Sequence, residues 1–393
     1  MNFWTDSLGR ILSPLTATYP LRPGGRLTLT SGVPVTTSDV TNATTIYYTP
    51  YVSNVISLWN GNAWQTITFS EVSLLIQSFY QNRLTTTGNT GPINSGPIKS
   101  IPSTAAIQVG DMVDDHVAIF GSGTYVISVD SANQVTTNTP CQAVTTGQTF
   151  YFNYPCYDIF GYLDSNNGLT LATLPWANRT TRQTALAMTD GVYTLSTDKT
   201  RLYLGTIYLT SAWAGKFAAN GYVTSDSMSS RLVWNNYNRV VRPLLYPIST
   251  ASWSYGSAAW RWANGYNGMV SGAATSPLAA VAWVVGLNED PVMAEVLCST
   301  NATTNSTSGN VGIAIDASLS APTIPSIPSQ DYVSEVSIGT GTIIALSHAA
   351  FCRLFGAGYH YAAWLEFART GTPTFYGAAP YGNISVMWGT LRA

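Results

Sequence analysis

Short runs of residues alternating with period two, each closed within a few positions by Gly, Asn, Asp or Pro, constrain this chain more than any other feature. Arg26-Leu27-Thr28-Leu29-Thr30 follows the turn signal Gly24-Gly25 and alternates as a strand with one buried face does. Val55–Trp59 and Trp64–Thr68 flank Asn60-Gly61-Asn62-Ala63, whose Asn-Gly step accepts the positive φ of a tight hairpin. Further strands are predicted at 45–50, 117–120, 125–129, 150–164, 168–174, 183–195 and 201–210, with Asn167-Gly168 and Asp190-Gly191 as turns. Past Pro247 the same pattern continues in short segments from Ala258 to Thr390, which fits a sandwich or jelly roll. One stretch reads differently. Thr68-Phe69-Ser70-Glu71 has capping-box spacing, and Val72, Leu75, Ile76 and Phe79 recur at helical intervals, predicting a short helix over 70–82.

The expected fold is therefore all-β: a β-rich N-terminal part with one short helix, then a C-terminal β-sandwich or jelly-roll domain. Composition shifts divide the chain into an extended arm (1–22), the first part of an N-terminal β domain (23–84), a Gly/Pro/Thr-rich linker and β insert (85–155), the second part of that domain (156–245) and the C-terminal domain (246–393). No heptad is sustained, so a coiled-coil shaft is not encoded.

The junction near residue 240 stands out. Arg231-Leu232-Val233-Trp234-Asn235-Asn236-Tyr237-Asn238-Arg239-Val240-Val241-Arg242-Pro243 packs Arg, Asn and large aromatics together more densely than any other stretch. As a strand it has no cleanly apolar face, and amides and guanidinium on both sides need partners on both sides. A domain or subunit seam supplies them, with Trp234, Asn236, Tyr237 and Arg239 as its residues.

Charge narrows the function. Lys, Arg, Asp and Glu make up 9% of the chain, against roughly 25% in ordinary soluble chains. With 45% hydrophobic residues the chain is not a disordered one, and a net charge of −2 provides no field for nucleic acid. Few charges suit large subunit contacts. The start, MNFWTDSLGR, lacks the basic and apolar regions of a secretory signal, and Leu278–Leu287 is too short to span a bilayer. A soluble product made in a cytoplasm is expected, without membrane insertion. No C-x-x-C pair occurs and only three His are present, so neither a metal nor a cofactor is predicted. Cys141 and Cys156 read as reduced thiols, with a disulfide as the alternative.

Candidate chemistry is sparse. Asp111-Met112-Val113-Asp114-Asp115-His116 is the densest acidic cluster; without the Gly and Glu of a calcium loop it reads as a charged, solvated turn. Glu289, Asp290 and Glu295 raise the possibility of a carboxylate pair for glycoside hydrolysis, but Glu289-Asp290-Pro291 also makes an ordinary turn. His348, His360 and Glu366 accompany no nucleophile elbow. Trp253, Trp260, Trp262 and Tyr266 form an aromatic patch past the junction. Tyr376 and Tyr381 sit in a Gly/Pro-rich loop. Aromatic faces stack on sugars, so these six are the glycan-binding candidates, beside the reading in which they fill a core.

Several segments in order resemble tailed-bacteriophage virion proteins of the fibre, spike or decoration type. They include Arg22-Pro23-Gly24-Gly25-Arg26-Leu27-Thr28-Leu29-Thr30-Ser31-Gly32, Ile46-Tyr47-Tyr48-Thr49-Pro50-Tyr51, Trp234-Asn235-Asn236-Tyr237-Asn238-Arg239, and Gly358-Tyr359-His360-Tyr361 with Trp364-Leu365-Glu366. Residues 85–155 depart from that pattern. The resemblance implies a virion protein assembled in a bacterial host cytoplasm, a homotrimer, contacts to other virion proteins through the N-terminal part, and attachment to a host surface glycan. It implies no catalytic residues; a depolymerase and a decoration protein without receptor are the alternatives.

Overall fold

The computed structural model describes residues 19–115, 117, 119–120, 124–211, 222–265, 279–302, 308–317, 334–337, 343–377 and 385–393. Among these, strands dominate and the only helical turns are 3-10, at Ile76–Ser78 and Ala263–Gly265. The chain is all-β.

The helix expected over 70–82 is not formed. Val72–Leu75 is a strand, paired antiparallel with Thr45–Pro50, which in turn pairs with Gly25–Thr28. The local pattern served two periods at once. Val72, Leu74 and Ile76 fall on one side of an extended chain as readily as Val72, Leu75, Ile76 and Phe79 fall on one side of a helix, and a neighbouring strand edge that needed hydrogen-bond partners selected the extended form. Glu71 does not cap a helix. Its carboxylate accepts from Ser31 Oγ at 2.5 Å, Gly32 N–H at 2.6 Å and Thr49 Oγ1 at 2.5 Å, which ties a loop to this sheet.

The hairpin Val55–Trp59/Trp64–Thr68 forms with the predicted bounds, in a register that runs from Val55↔Thr68 to Trp59↔Trp64. Asn82–Thr90 and Thr145–Asn153 anchor a six-stranded sheet that includes Val126–Ser131, Gln134–Thr137, Pro97–Lys99 and Met112–Asp114. This sheet has its own core, built on Ile98, Val113, Val126, Val135, Phe150 and Phe152. A seven-stranded sheet runs through Cys156–Leu163, Leu169–Asn178 and Asp198–Tyr208.

The C-terminal half forms most of a sandwich, and Val40–Ala43, Thr210–Ser211, Tyr222–Ser227 and Ser230–Arg231 extend one of its two sheets. One sheet of nine strands is centred on Ala280–Val285, Gly358–Thr370 and Ser308–Ile315; a six-stranded sheet contains Val241–Pro247, Val386–Arg392, Pro291–Ala302 and Ile343–Leu354. Their inner faces meet in a core that includes Val281, Trp283 and Trp364 from the first sheet and Leu244, Val296, Phe375 and Met387 from the second. Nearly every pairing is antiparallel; Ser230–Arg231 beside Ala280–Val285 is parallel.

The cysteines at 141, 156, 298 and 352 are all free thiols, and Cys352 alone of them is exposed. Burial pushes the Cys156 thiol well above its ordinary pKa and Cys298 up to about 12.

Candidate functional site

The junction stretch is not one strand but three pieces in three sheets. Ser230–Arg231 lies in the nine-stranded sheet, Val233–Asn235 pairs with Asp198–Tyr208 in the seven-stranded sheet, and Val241–Pro247 pairs with Val386–Arg392 in the six-stranded sheet. Its alternation has a direct consequence. Leu232 and Trp234 point into the C-terminal core, whereas Val233 and Tyr237 point into the N-terminal core with Leu27, Ile159 and Ile207. Neither face looked apolar in sequence because each carries only a short apolar segment.

Between those side chains the polar residues hold the strand Gly25–Thr28 in place. Asn235 Oδ1 accepts from Leu27 N–H at 2.6 Å while its Nδ2 donates to Leu27 O at 3.2 Å, so one side-chain amide replaces a missing strand on that edge. Asn238 Nδ2 donates to Pro23 O at 2.8 Å and Gly25 O at 3.1 Å. Asn236 is buried, with its N–H donating to Leu204 O at 2.8 Å. Arg239 pairs with Glu289 at 2.5 Å and Asp290 at 3.2 Å and lies over the Trp234 ring. Asp226 receives both Arg231, at 2.8 Å, and Arg242, at 2.9 Å. Arg26, buried beside Arg242, is lowered to about 10 by burial first and by that neighbouring cation second.

A second lock joins the two halves. Asp158, 1% exposed, is held by Arg182 Nε at 2.6 Å and by Thr206 Oγ1 at 2.7 Å; the same guanidinium donates to Gly286 O at 2.8 Å, just past Ala280–Val285. Gly286 has no room for a side chain. A Cβ there would come within 2.2 Å of both the Trp234 ring and Tyr203 Oη. Burial raises the Asp158 carboxyl above its ordinary pKa, with Arg182 acting against it.

The aromatic patch nominated for glycans is organised around a buried carboxylate. Glu366, 0% exposed, pairs with Arg261 Nε at 2.6 Å, accepts from the indole N–H of Trp253, and is raised by burial despite Arg261. Trp253 stacks on Phe375 at 6.0 Å, Trp260 leans on Phe367 at 5.2 Å, and Trp262 is 1% exposed. Tyr376 is half-buried on the six-stranded sheet; Tyr266 and Tyr381 lie outside the described residues. The acidic cluster is not a solvated turn. Asp111 is 0% exposed and pairs with Arg83 at 2.7 Å, while Asp115, 5% exposed, accepts from Val117 N–H and Phe120 N–H. Burial raises Asp111 to about 6, with Arg83 acting against it. His116 lies outside the described residues. His348 meets Glu295 at 3.3 Å, and His360 sits between Asp316, at 2.7 Å, and Gly356 O, at 2.9 Å.

One surface group was invisible to sequence reading. At the tip of the first hairpin Trp59 and Trp64 lie edge to face, with centroids 5.6 Å apart and both rings half-buried. The turn Asp190-Gly191 reaches them: Asp190 accepts from Trp64 Nε1 at 2.9 Å and from Lys199 Nζ at 2.8 Å, and Lys199 sits 3.4 Å over the Trp59 ring. Asp190 takes positive φ, 52°, as its turn requires. Hydrogen bonds from Lys199 and then Trp64 hold its carboxyl below the ordinary range. Asp190 and Trp64 are 126 residues apart; the sequence marked each only as part of a hairpin.

No protein family matches the chain, and no curated protein does. Among solved structures it is similar to the Cry4Aa toxin of Bacillus thuringiensis, at 8% identity over 88% of this chain and 49% of the toxin, TM-score 0.20. It is also similar to a protein of infectious bursal disease virus, strain Gt, at 9% identity over 80% and 81% of the two chains, TM-score 0.17. An exo-β-1,3-galactanase of Phanerochaete chrysosporium matches at 10% identity over 99% of each chain, TM-score 0.15. The chain spans about half the length of the Cry4Aa toxin it matches. At these TM-scores the likenesses carry no argument about this chain.

Proposed function

We propose that this chain is a structural and adhesive protein of a tailed-phage virion: a homotrimer that joins other virion proteins and attaches to host surface glycans without cleaving them. The virion reading is supported by the ordered sequence resemblance and by the low charge of an all-β chain. The observation that carries the adhesive reading is the Trp59–Trp64 pair. Two half-exposed indoles project at a hairpin tip, rimmed by a carboxylate and an ammonium that are themselves partly solvated. Such a group offers apolar stacking with hydrogen-bonding groups at its edge, as sugar recognition requires. Each such contact is weak, and threefold display on many copies raises its effective concentration.

The depolymerase reading asks for two carboxylates placed across a glycosidic bond. Among the described residues, Asp158, Glu366 and Asp111 are buried and each is engaged by an arginine, which favours structural roles for them. Titrating the purified protein against host capsule and lipopolysaccharide fragments tests adhesion. Binding that Trp64→Ala abolishes, with no new reducing ends, is the expected result. Release of reducing ends would replace adhesion with catalysis, and no binding to any surface glycan would leave the decoration role.

A further inference from the structure

The six-stranded sheet of the C-terminal sandwich has two faces, and among the described residues one is covered by the chain. Leu244, Val296, Ala349 and Met387 point inward and are buried. On the other face Val241 is 64% exposed, Leu346 57%, Leu354 54% and Trp388 37%. These belong to adjacent strands in continuous register. Val241↔Arg392 and Leu245↔Trp388 link the first two strands, Glu295↔Trp388 the next, and Glu295↔Ala350 and Pro291↔Leu354 the last. The charges on this face are already answered within the chain: Glu295 meets His348 at 3.3 Å and Arg392 meets Asp290 at 3.6 Å. A surface of this kind is largely apolar and internally neutralised, as the cores of subunit interfaces are. Its outer edge strand carries Pro243 and Pro247, which cannot donate to an added strand, so the face and not that edge is the surface on offer.

We propose that this face is covered by the same face of further copies of this chain, three packed around an axis that runs along the strands. This rests on the homotrimer reading above and says where it is built. Size selects the arrangement. Four strands at about 4.8 Å spacing make a wall about 19 Å wide, and an equilateral prism of that side has its axis about 5.5 Å from each wall. Side chains of packed sheets fill about half of the roughly 10 Å between them, or about 5 Å. Three such walls close without a channel and without overlap. The register from Val241 to Pro247 gives each wall a projected area of roughly 440 Å², so closing the prism takes about 1,300 Å² of this face from water in all.

The register also says which residues meet at the corners. Pro243, Thr390, Met293 and Cys352 share one row across the wall, with Pro243 and Cys352 on its opposite edges. In a threefold prism the Cys352 edge of one copy therefore stands beside the Pro243 edge of the next. Cys352 is the exposed thiol of the chain.

The test uses the full chain. Wild-type protein at micromolar concentration is expected to have the mass of three copies. Oxidised Pro243→Cys, which pairs the new thiol with native Cys352, is expected to run as a covalent three-chain ring on a non-reducing gel. Val241→Asp with Leu354→Asp is expected to fall to one copy with an unchanged circular dichroism spectrum, whereas Met188→Asp, on an exposed apolar residue elsewhere, stays at three. A wild-type monomer would overturn both this inference and the homotrimer reading. A three-copy mass that survives the double substitution, with no covalent ring from Pro243→Cys, would overturn this face alone and leave the homotrimer standing. A two-copy mass with at most two chains linked would overturn the threefold arrangement.

Discussion

Asp111 and Asp190 are both aspartates paired with one cation at 2.7–2.8 Å, and they respond to their surroundings in opposite directions. Asp111 is out of contact with water, and burial raises its carboxyl to about 6 although Arg83 is beside it. Asp190 stands in solvent, and the hydrogen bonds from Lys199 and Trp64 lower it. The difference teaches that an ion pair in this chain is a lock where it is dry and an adaptable surface feature where it is wet. Asp158 with Arg182 and Glu366 with Arg261 belong to the first kind. The Trp59–Trp64–Lys199–Asp190 group belongs to the second, which leaves it free to exchange partners with a ligand.

The largest expected effect comes from breaking a dry pair. Arg182→Met leaves Asp158 buried without its cation and removes the donor to Gly286 O, so urea denaturation should report a loss of about 3–5 kcal/mol. A loss no larger than a surface substitution would place Asp158 in water and erase the contrast.

Next is pH. Because the folded-state value of Asp111 is raised, its contribution to stability is complete below the unfolded value near 4 and is lost as pH rises through about 6. Denaturation midpoints of wild type and Asp111→Asn, measured from pH 4 to 7, should diverge by on the order of 3 kcal/mol across that window, with the wild type carrying the slope. For Asp190 the sign is reversed: its lowered carboxyl contributes above its unfolded value and loses that contribution as pH falls into the acid range.

Smaller again is Asn235→Ala. It strips the amide from both backbone groups of Leu27 and should cost about 1–3 kcal/mol, seen as faster amide exchange at Leu27 as well as a lower midpoint. At the wet end Lys199→Ala should leave the denaturation midpoint where it was while weakening glycan binding; a clear drop in stability would move this pair into the structural class.

What the sequence revealed depended on range. The hairpin Val55–Thr68 was legible to the residue because its alternation and its Asn-Gly turn are local, and Asp190-Gly191 was legible as a turn for the same reason. The 70–82 helix failed because the choice between two periods was made by a strand edge at Thr45–Pro50 that local spacing does not encode. At the junction the need for partners on both faces was readable from Asn and Arg, but their identity was not: Pro23, Gly25, Leu27 and Asp226 are distant in the chain. The aromatic patch shows the same limit. Trp262 and Trp59 are the same residue type in similar β contexts, yet one is 1% exposed and the other half-buried at a tip. Only the assembled sheets distinguish them.

The two-sided strand at Val233–Asn235 also sets a clock on synthesis. Asn235 satisfies Leu27 from 208 positions downstream. A ribosome adding about 5–20 residues each second takes roughly 10–40 s to cover that separation. For that interval the nascent chain carries Gly25–Thr28 with the Leu27 backbone groups unanswered, and neither core can close until Leu232–Tyr237 emerges to fill both. Cooperative closure is thereby deferred to a late moment in translation, and a slowdown in synthesis before codon 232 lengthens the time in which one nascent chain can pair with another.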